Sequence, residues 1–183
     1  MFSLFKKNPS DSACRWVKPA ILAAADNNIS PQLFVALILN ESSGDPFATR
    51  WERKFYIRYI ADKPLEQLTR SNLRELDNYE DQLFRQCLAY SWGLCQIMGV
   101  VAFEHGFRGR NIWELLDVET NVRLGAQIYA HKREGVRQKN PTANDAERDR
   151  LTLLAYNGGG DPDYANRVMK RLSAATNLVT RCA

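Results

Sequence analysis

An all-α domain is predicted by three features of this sequence. Apolar residues recur at helical spacing along most of the chain, polar caps and glycine or proline stops bracket those runs, and no run alternates with the period of a strand. At 183 residues the chain is long enough for one domain with a full core. Hydrophobic residues at 45% and charged residues at 25% fit a packed globular domain and exclude a disordered one.

A first helix is expected over about 12–26, with Pro19 either splitting it or lying in its first turn. Asn27-Asn28 breaks the pattern. Ser30 is a good N-cap and Pro31 a good first residue, so a second helix starts there and runs to about residue 43. Gly44 and Pro46 end it. From 48 to 85 the chain is polar, aromatic and charged, and reads as an elaboration of one domain spanning 1–183, with helical pieces at about 53–60 and 71–90. Residues 91–99 form a glycine-bounded turn. A helix follows at 118–134, with Val122, Ala126, Tyr129 and Ala130 on one side. Asn144 with Glu147 starts another, which ends near Tyr156 before Gly158-Gly159-Gly160. Asp161-Pro162 opens one last long helix, with Tyr164, Ala165, Val168, Met169 and Leu172 as its apolar stripe.

Lys plus Arg is 25 and Asp plus Glu is 21, a balance of 25 − 21 = +4. The basic residues are scattered (Lys132, Arg133, Arg137, Lys139, Arg167, Lys170, Arg171), which favours solvated helix faces over a nucleic-acid patch. No apolar run is long enough to span a bilayer. The start, from Met1 to Pro9, lacks an apolar signal core, so export by the general secretory route is not expected. Cys14, Cys87, Cys95 and Cys182 show no CxxC pair. Their even count permits disulfides, but reduced thiols are expected without a signal segment. Two histidines and no HExxH argue against a metal site, and no cofactor motif is present.

Three places carry chemistry. Glu41 closes an apolar helical stripe, Phe34, Leu37, Ile38, Glu41, where burial is costly for a carboxylate unless it is paired or protonated. Desolvation raises a carboxyl pKa and suits a general acid. On helix position alone, a core glutamate satisfied by arginine or backbone donors fits equally well. The second place is Ser91-Trp92-Gly93-Leu94-Cys95-Gln96-Ile97-Met98, where a glycine beside a carboxamide suits close approach of an amide- and hydroxyl-rich ligand. The third is Ala155-Tyr156-Asn157-Gly158. Taken singly, the last two read as an ordinary turn and a helix C-cap.

Taken in order, Glu-Ser-Ser-Gly at 41–44, Gly-Leu-x-Gln-Ile-Met at 93–98 and Ala-Tyr-Asn-Gly at 155–158, with Tyr164 beyond them, resemble the soluble lytic transglycosylases. The resemblance covers roughly residues 19–172. Goose-type lysozymes share the fold and, more loosely, the first two motifs. The resemblance implies a lysozyme-like α-helical domain with a saccharide-binding groove, acting on peptidoglycan glycan strands between N-acetylmuramic acid and N-acetylglucosamine. It implies Glu41 as a lone acid/base that leaves a 1,6-anhydro sugar. It also implies sugar- or carboxylate-positioning roles for Ser42, Ser91, Gly93, Gln96, Ile97, Met98, Tyr156, Asn157 and Tyr164. Neither metal nor cofactor is required, and a monomer is expected.

Two departures stand out. Cys95 replaces the family's usual methionine, and the 48–85 segment is similar to that of bacteriophage-type relatives. Its Trp51, Phe55, Tyr56 and Tyr59 either stack on sugars or, more simply, pack on one another. Action at the cell wall or periplasm without a signal segment would need a delivery apparatus, a virion or secretion machinery. A hydrolytic, goose-type reaction would need a second carboxylate, with Asp45 and Glu52 nearest in sequence. A non-catalytic cell-wall-binding or virion protein would not need an intact Glu41. A peptidase built on Cys95 and His105 is the remaining reading.

Overall fold

A computed structural model of the chain describes residues 9–64 and 81–183. Helices dominate: α1 (Pro9–Asp26), α2 (Pro31–Ser42), α3 (Arg53–Tyr59), α4 (Asp81–Leu88), α5 (Gly99–Glu104), α6 (Val118–Lys139), α7 (Asp145–Tyr156), α8 (Tyr164–Met169) and α9 (Leu172–Cys182), with a 3-10 turn at Ile112–Leu116. A small antiparallel sheet lies beside them: β1 (Thr49–Trp51), β2 (Tyr90–Trp92) and β3 (Ile97–Met98), in the order β1-β2-β3. Arg50 pairs with Ser91, and Trp92 with Ile97. The all-α class therefore stands with a sheet added to it. Strands of two and three residues are too short for alternation to register in sequence.

The helix α2 is the centre of the molecule. Ser30 caps it, accepting from Leu33 N at 3.4 Å, and Ser43 (φ 56°) ends it in the left-handed region. All six residues from Leu33 to Ile38 are buried, so α2 is enclosed on every side and is not a stripe facing inward. It packs against α1, α8 and α9, while α6 packs against α1 and α7. Burying side chains such as Phe34, Leu37 and Ile38 stabilises the fold by about 1.5–3 kcal/mol each. That gain offsets the cost of a carboxylate at the end of the same helix.

Several expected boundaries shift. The first helix begins at Pro9 and carries Pro19 inside it without breaking. The residue that loses a hydrogen-bond partner four positions back, Arg15, is exposed. The expected last long helix is two helices, α8 and α9, separated at Lys170-Arg171. The expected 91–99 turn is the β2–β3 hairpin, and most of the expected 71–90 helix lies outside the described residues. Asn144 caps α7 as expected, accepting from Glu147 N at 2.9 Å. Among the described residues, no helix is long and apolar enough to cross a membrane.

The expectation of four reduced thiols is overturned. Cys14 on α1 and Cys182 on α9 form a disulfide with a Cα–Cα distance of 5.2 Å, while Cys87 and Cys95 are free and buried. The pair is 168 residues apart in sequence, so no local pattern announces it. Packing of α1 against α9 brings the two sulfurs together.

Candidate active site

Glu41 occupies the last turn of α2 and is half-buried. Its carboxylate accepts a hydrogen bond from the hydroxyl of Tyr164, the first residue of α8. Burial pushes the Glu41 pKa up, and this effect outweighs the opposing pull of the Tyr164 hydrogen bond, Arg50, the Asn40 side chain and Arg167. Tyr164 itself is buried, and burial followed by the neighbouring Glu41 charge holds its hydroxyl protonated. It is therefore a donor to Glu41 and not a competing acid. Removing that donor has a definite sign: Tyr164→Phe should raise the Glu41 pKa further. The alkaline limb of the pH–activity profile should then move to higher pH, with turnover reduced at the optimum. A limb that stays in place or moves down would contradict this coupling.

The β2–β3 hairpin is fastened to the end of α2 by side chains from three directions. Ser42 Oγ donates to Leu94 O at 2.9 Å, with Ile38 O at 3.2 Å, and accepts from Gly44 N at 3.2 Å. The Gln96 Nε2 group donates to Gly93 O at 2.9 Å and Ala48 O at 3.1 Å, so it locks the hairpin to the chain leaving α2. Its Oε1 has no protein partner among the described residues. The Tyr156 hydroxyl donates to Cys95 O at 2.9 Å. Burial, then the Cys95, Glu41 and Tyr164 neighbours, push the Tyr156 pKa well up.

Beneath the hairpin sits Asn121 of α6, buried and unremarked in sequence. Its Oδ1 accepts from Cys95 N at 2.8 Å, and its Nδ2 donates to Leu115 O at 2.7 Å and Trp92 O at 2.9 Å. Two buried backbone groups of the hairpin and one of the 3-10 turn are satisfied by one side chain. Gly93 (φ +68°) follows from this contact, since a Cβ there would lie 2.5 Å from Asn121 Nδ2 and 2.7 Å from Leu115 O. Cys95 has a similar reason. A Cβ at Gly125 of α6 would lie 2.5 Å from Cys95 Sγ, so α6 runs close enough that a small side chain fits the space.

Other predicted residues lie less centrally. Ser91 is buried and its hydroxyl donates to Glu52 Oε1 at 3.4 Å. Ile97 belongs to the core, Met98 caps α5 and is half-buried, and Asn157 is the exposed C-cap of α7. Trp51 packs on Tyr56 and Tyr90, each at 5.1 Å between ring centroids, and Phe55 packs on Tyr59 at 4.9 Å. Such pairs are worth about 0.5–1.5 kcal/mol beyond their burial. The groove between α1 and α6, lined by Lys18, Leu22, Asp117 and Arg123 among others, holds none of the predicted site residues.

The Cys95–His105 pairing is absent among the described contacts. His105 stacks edge-on with His131 at 5.0 Å, and burial pushes the Cys95 thiol well up, away from a reactive thiolate. Asp45 accepts from Phe47 N at 2.9 Å within its own loop, and Glu52 is ion-paired with Arg50. Among the described residues, no group of three or more His, Cys, Asp or Glu side chains could hold a metal ion. Arg167, which sequence alone places on a solvated helix face, and Arg50, which sequence did not single out, both act electrostatically on Glu41. Arg167 had one available signal, its position three residues after Tyr164 on the same helix face.

The family model described as Transglycosylase SLT domain matches residues 18–177, nearly the whole described chain. No curated protein and no solved structure gives a significant match.

Proposed function

Since the chain belongs to the transglycosylase SLT domain family, whose enzymes act on peptidoglycan, we propose that it is a lytic transglycosylase cleaving the β-1,4 bond between N-acetylmuramic acid and N-acetylglucosamine, with Glu41 as its single acid/base. The observation that carries this reading is the setting of Glu41. It is a carboxyl at a helix end, desolvated enough to hold its proton longer than an exposed one, and oriented by the Tyr164 hydroxyl.

In the first step the Glu41 carboxyl donates its proton to the glycosidic oxygen as the bond to the muramoyl anomeric carbon breaks. The muramoyl acetamido group stabilises the cationic carbon. The Glu41 carboxylate then takes the proton of the muramoyl C6 hydroxyl, and the C6 oxygen bonds to the anomeric carbon. The glutamic acid is regenerated, a 1,6-anhydro end forms and no water is consumed. One group serving as acid and then base belongs with the substrate-assisted exceptions to paired-carboxylate glycoside cleavage.

The groups acting on Glu41 also favour this route over hydrolysis. They are a tyrosine, an asparagine and two arginines, and the nearest carboxylates in sequence, Asp45 and Glu52, are engaged elsewhere. Ser42, Gln96 and Tyr156 hold the hairpin and Glu41 in register, and Gly93 lets the backbone approach closely. Met98 and Asn157 are assigned to the sugar groove by family likeness, while Ile97, in the core, and Ser91, buried with its hydroxyl on Glu52, back the hairpin and do not face a sugar. The Cys14–Cys182 disulfide supports action in an oxidising compartment, in keeping with the periplasm or cell surface.

Mass spectrometry of the muropeptides released from purified sacculi tests the reaction. Products lighter by one water than their hydrolytic counterparts, lacking a reducing end, are expected. Reducing-end products would turn the assignment to a muramidase.

A further inference from the structure

Two guanidinium groups act electrostatically on Glu41 from separate elements, and both have hydrogen-bonding capacity to spare. Arg50 stands in β1 with its side chain 64% exposed. Its Nε donates to Glu52, which Ser91, the cross-strand neighbour of Arg50, also contacts. The two Nη groups of Arg50 have no protein partner among the described residues. Arg167 lies on α8 with its side chain 48% exposed, its guanidinium 5.8 Å from the ring centroid of the same Tyr164 that holds Glu41. Asp161 engages one of its Nη groups. Each arginine is thus anchored at one end by a carboxylate and open at the other. Both stand close enough for their charge to bear on Glu41.

The glycan backbone gives two guanidiniums little to recognise. Its sugars are neutral, and the lactyl carboxyl of the muramoyl residue is consumed in the amide that carries the stem peptide. The free anions on intact peptidoglycan are the carboxylates of the stems. A guanidinium fork matches a carboxylate in geometry as well as charge. We propose that Arg50 and Arg167 bind free carboxylates of the stem peptides flanking the scissile bond, making the enzyme selective for peptide-bearing glycan strands over bare ones. The inference rests on the peptidoglycan reading above and adds a specificity to it.

The test compares kcat/KM on peptide-bearing glycan strands with kcat/KM on the same strands stripped of their stems by an amidase and then capped at the freed lactyl carboxyl as a neutral methylamide, so that the bare strands carry no carboxylate. Because Glu41 breaks the same bond in both substrates, any change in its acidity cancels in the ratio. The wild type should favour peptide-bearing strands. Arg50→Gln and Arg167→Gln should each lower that ratio about two- to fivefold, the range expected of an exposed charge pair. Together they should bring it close to unity, with Arg50→Lys falling between Arg50→Gln and the wild type. A wild type indifferent to the stems, or a ratio unchanged in both glutamine variants, would overturn the proposal. Failure of the wild type to cut either strand would overturn the peptidoglycan reading itself.

Discussion

Glu41→Gln should abolish bond cleavage and, at the same time, make the protein more stable at neutral pH. The loss of activity is expected to reach about 10²–10⁴-fold, the usual contribution of a positioned acid or base, since the variant can neither donate the first proton nor accept the second. Glutamine keeps the length of the side chain, and its Oε1 can still accept from Tyr164. The stability gain follows from the sign of the shift. Burial raises the folded-state pKa of Glu41 above its ordinary 4.5. Below pH 4.5 the carboxyl is protonated in both folded and unfolded chains and costs nothing extra. As pH rises through the folded value, the buried group must ionise at a penalty the unfolded chain does not bear. A neutral amide removes that penalty. Thermal melts should therefore show the variant above the wild type at neutral pH and level with it below pH 4.5. Retained muralytic activity on sacculi would remove Glu41 from the mechanism, and a variant less stable at neutral pH would contradict the desolvation argument. Gain of stability with loss of activity is the usual mark of a site held at a local cost.

Opening the Cys14–Cys182 disulfide should lower the melting temperature by about 10 °C or more. The cross-link closes a loop of 168 residues in sequence separation, for which the chain-entropy relation gives about 5 kcal/mol of stabilisation. For a domain of this size, each kcal/mol is worth about 2–4 °C. The effect falls where it matters, because α1 and α9 both pack on α2, the helix that carries Glu41. Reductant should lower the wild-type melt as much as the Cys14→Ser/Cys182→Ser pair does, and should leave the double variant where it is. Cys87 and Cys95 are buried and already free, so they add no reductant response of their own. Equal melts with and without reductant would show that the cross-link carries no stability.

Glu41, Gln96, Tyr156 and Tyr164 were legible in sequence through an ordered set of short motifs. Tyr164 meets Glu41 directly, and Tyr156 and Gln96 meet the hairpin that lies against the end of its helix. What sequence hid was the reason Glu41 is desolvated. A stripe closing on a glutamate suggested one buried face, whereas α2 is enclosed on every side. Asn121 and the two arginines were hidden for a different reason. An asparagine within a helix and arginines on polar segments look like surface until the hairpin and the neighbouring helices are placed around them.

The helix caps at Ser30 and Asn144 and the stops after Ser42 and Tyr156 follow from chemistry acting within a few residues, and so they can be read along the chain. The sheet, the disulfide and the partners of Glu41 join positions far apart in sequence. Tyr164 lies 123 residues from Glu41, and Cys182 lies 168 from Cys14. Those contacts exist only after α1, α8 and α9 close around α2, when exclusion of water makes a carboxyl's proton and a buried amide's partners matter. Local pattern decided where each helix begins and ends, while tertiary packing decided what surrounds Glu41 and therefore what its carboxyl can do.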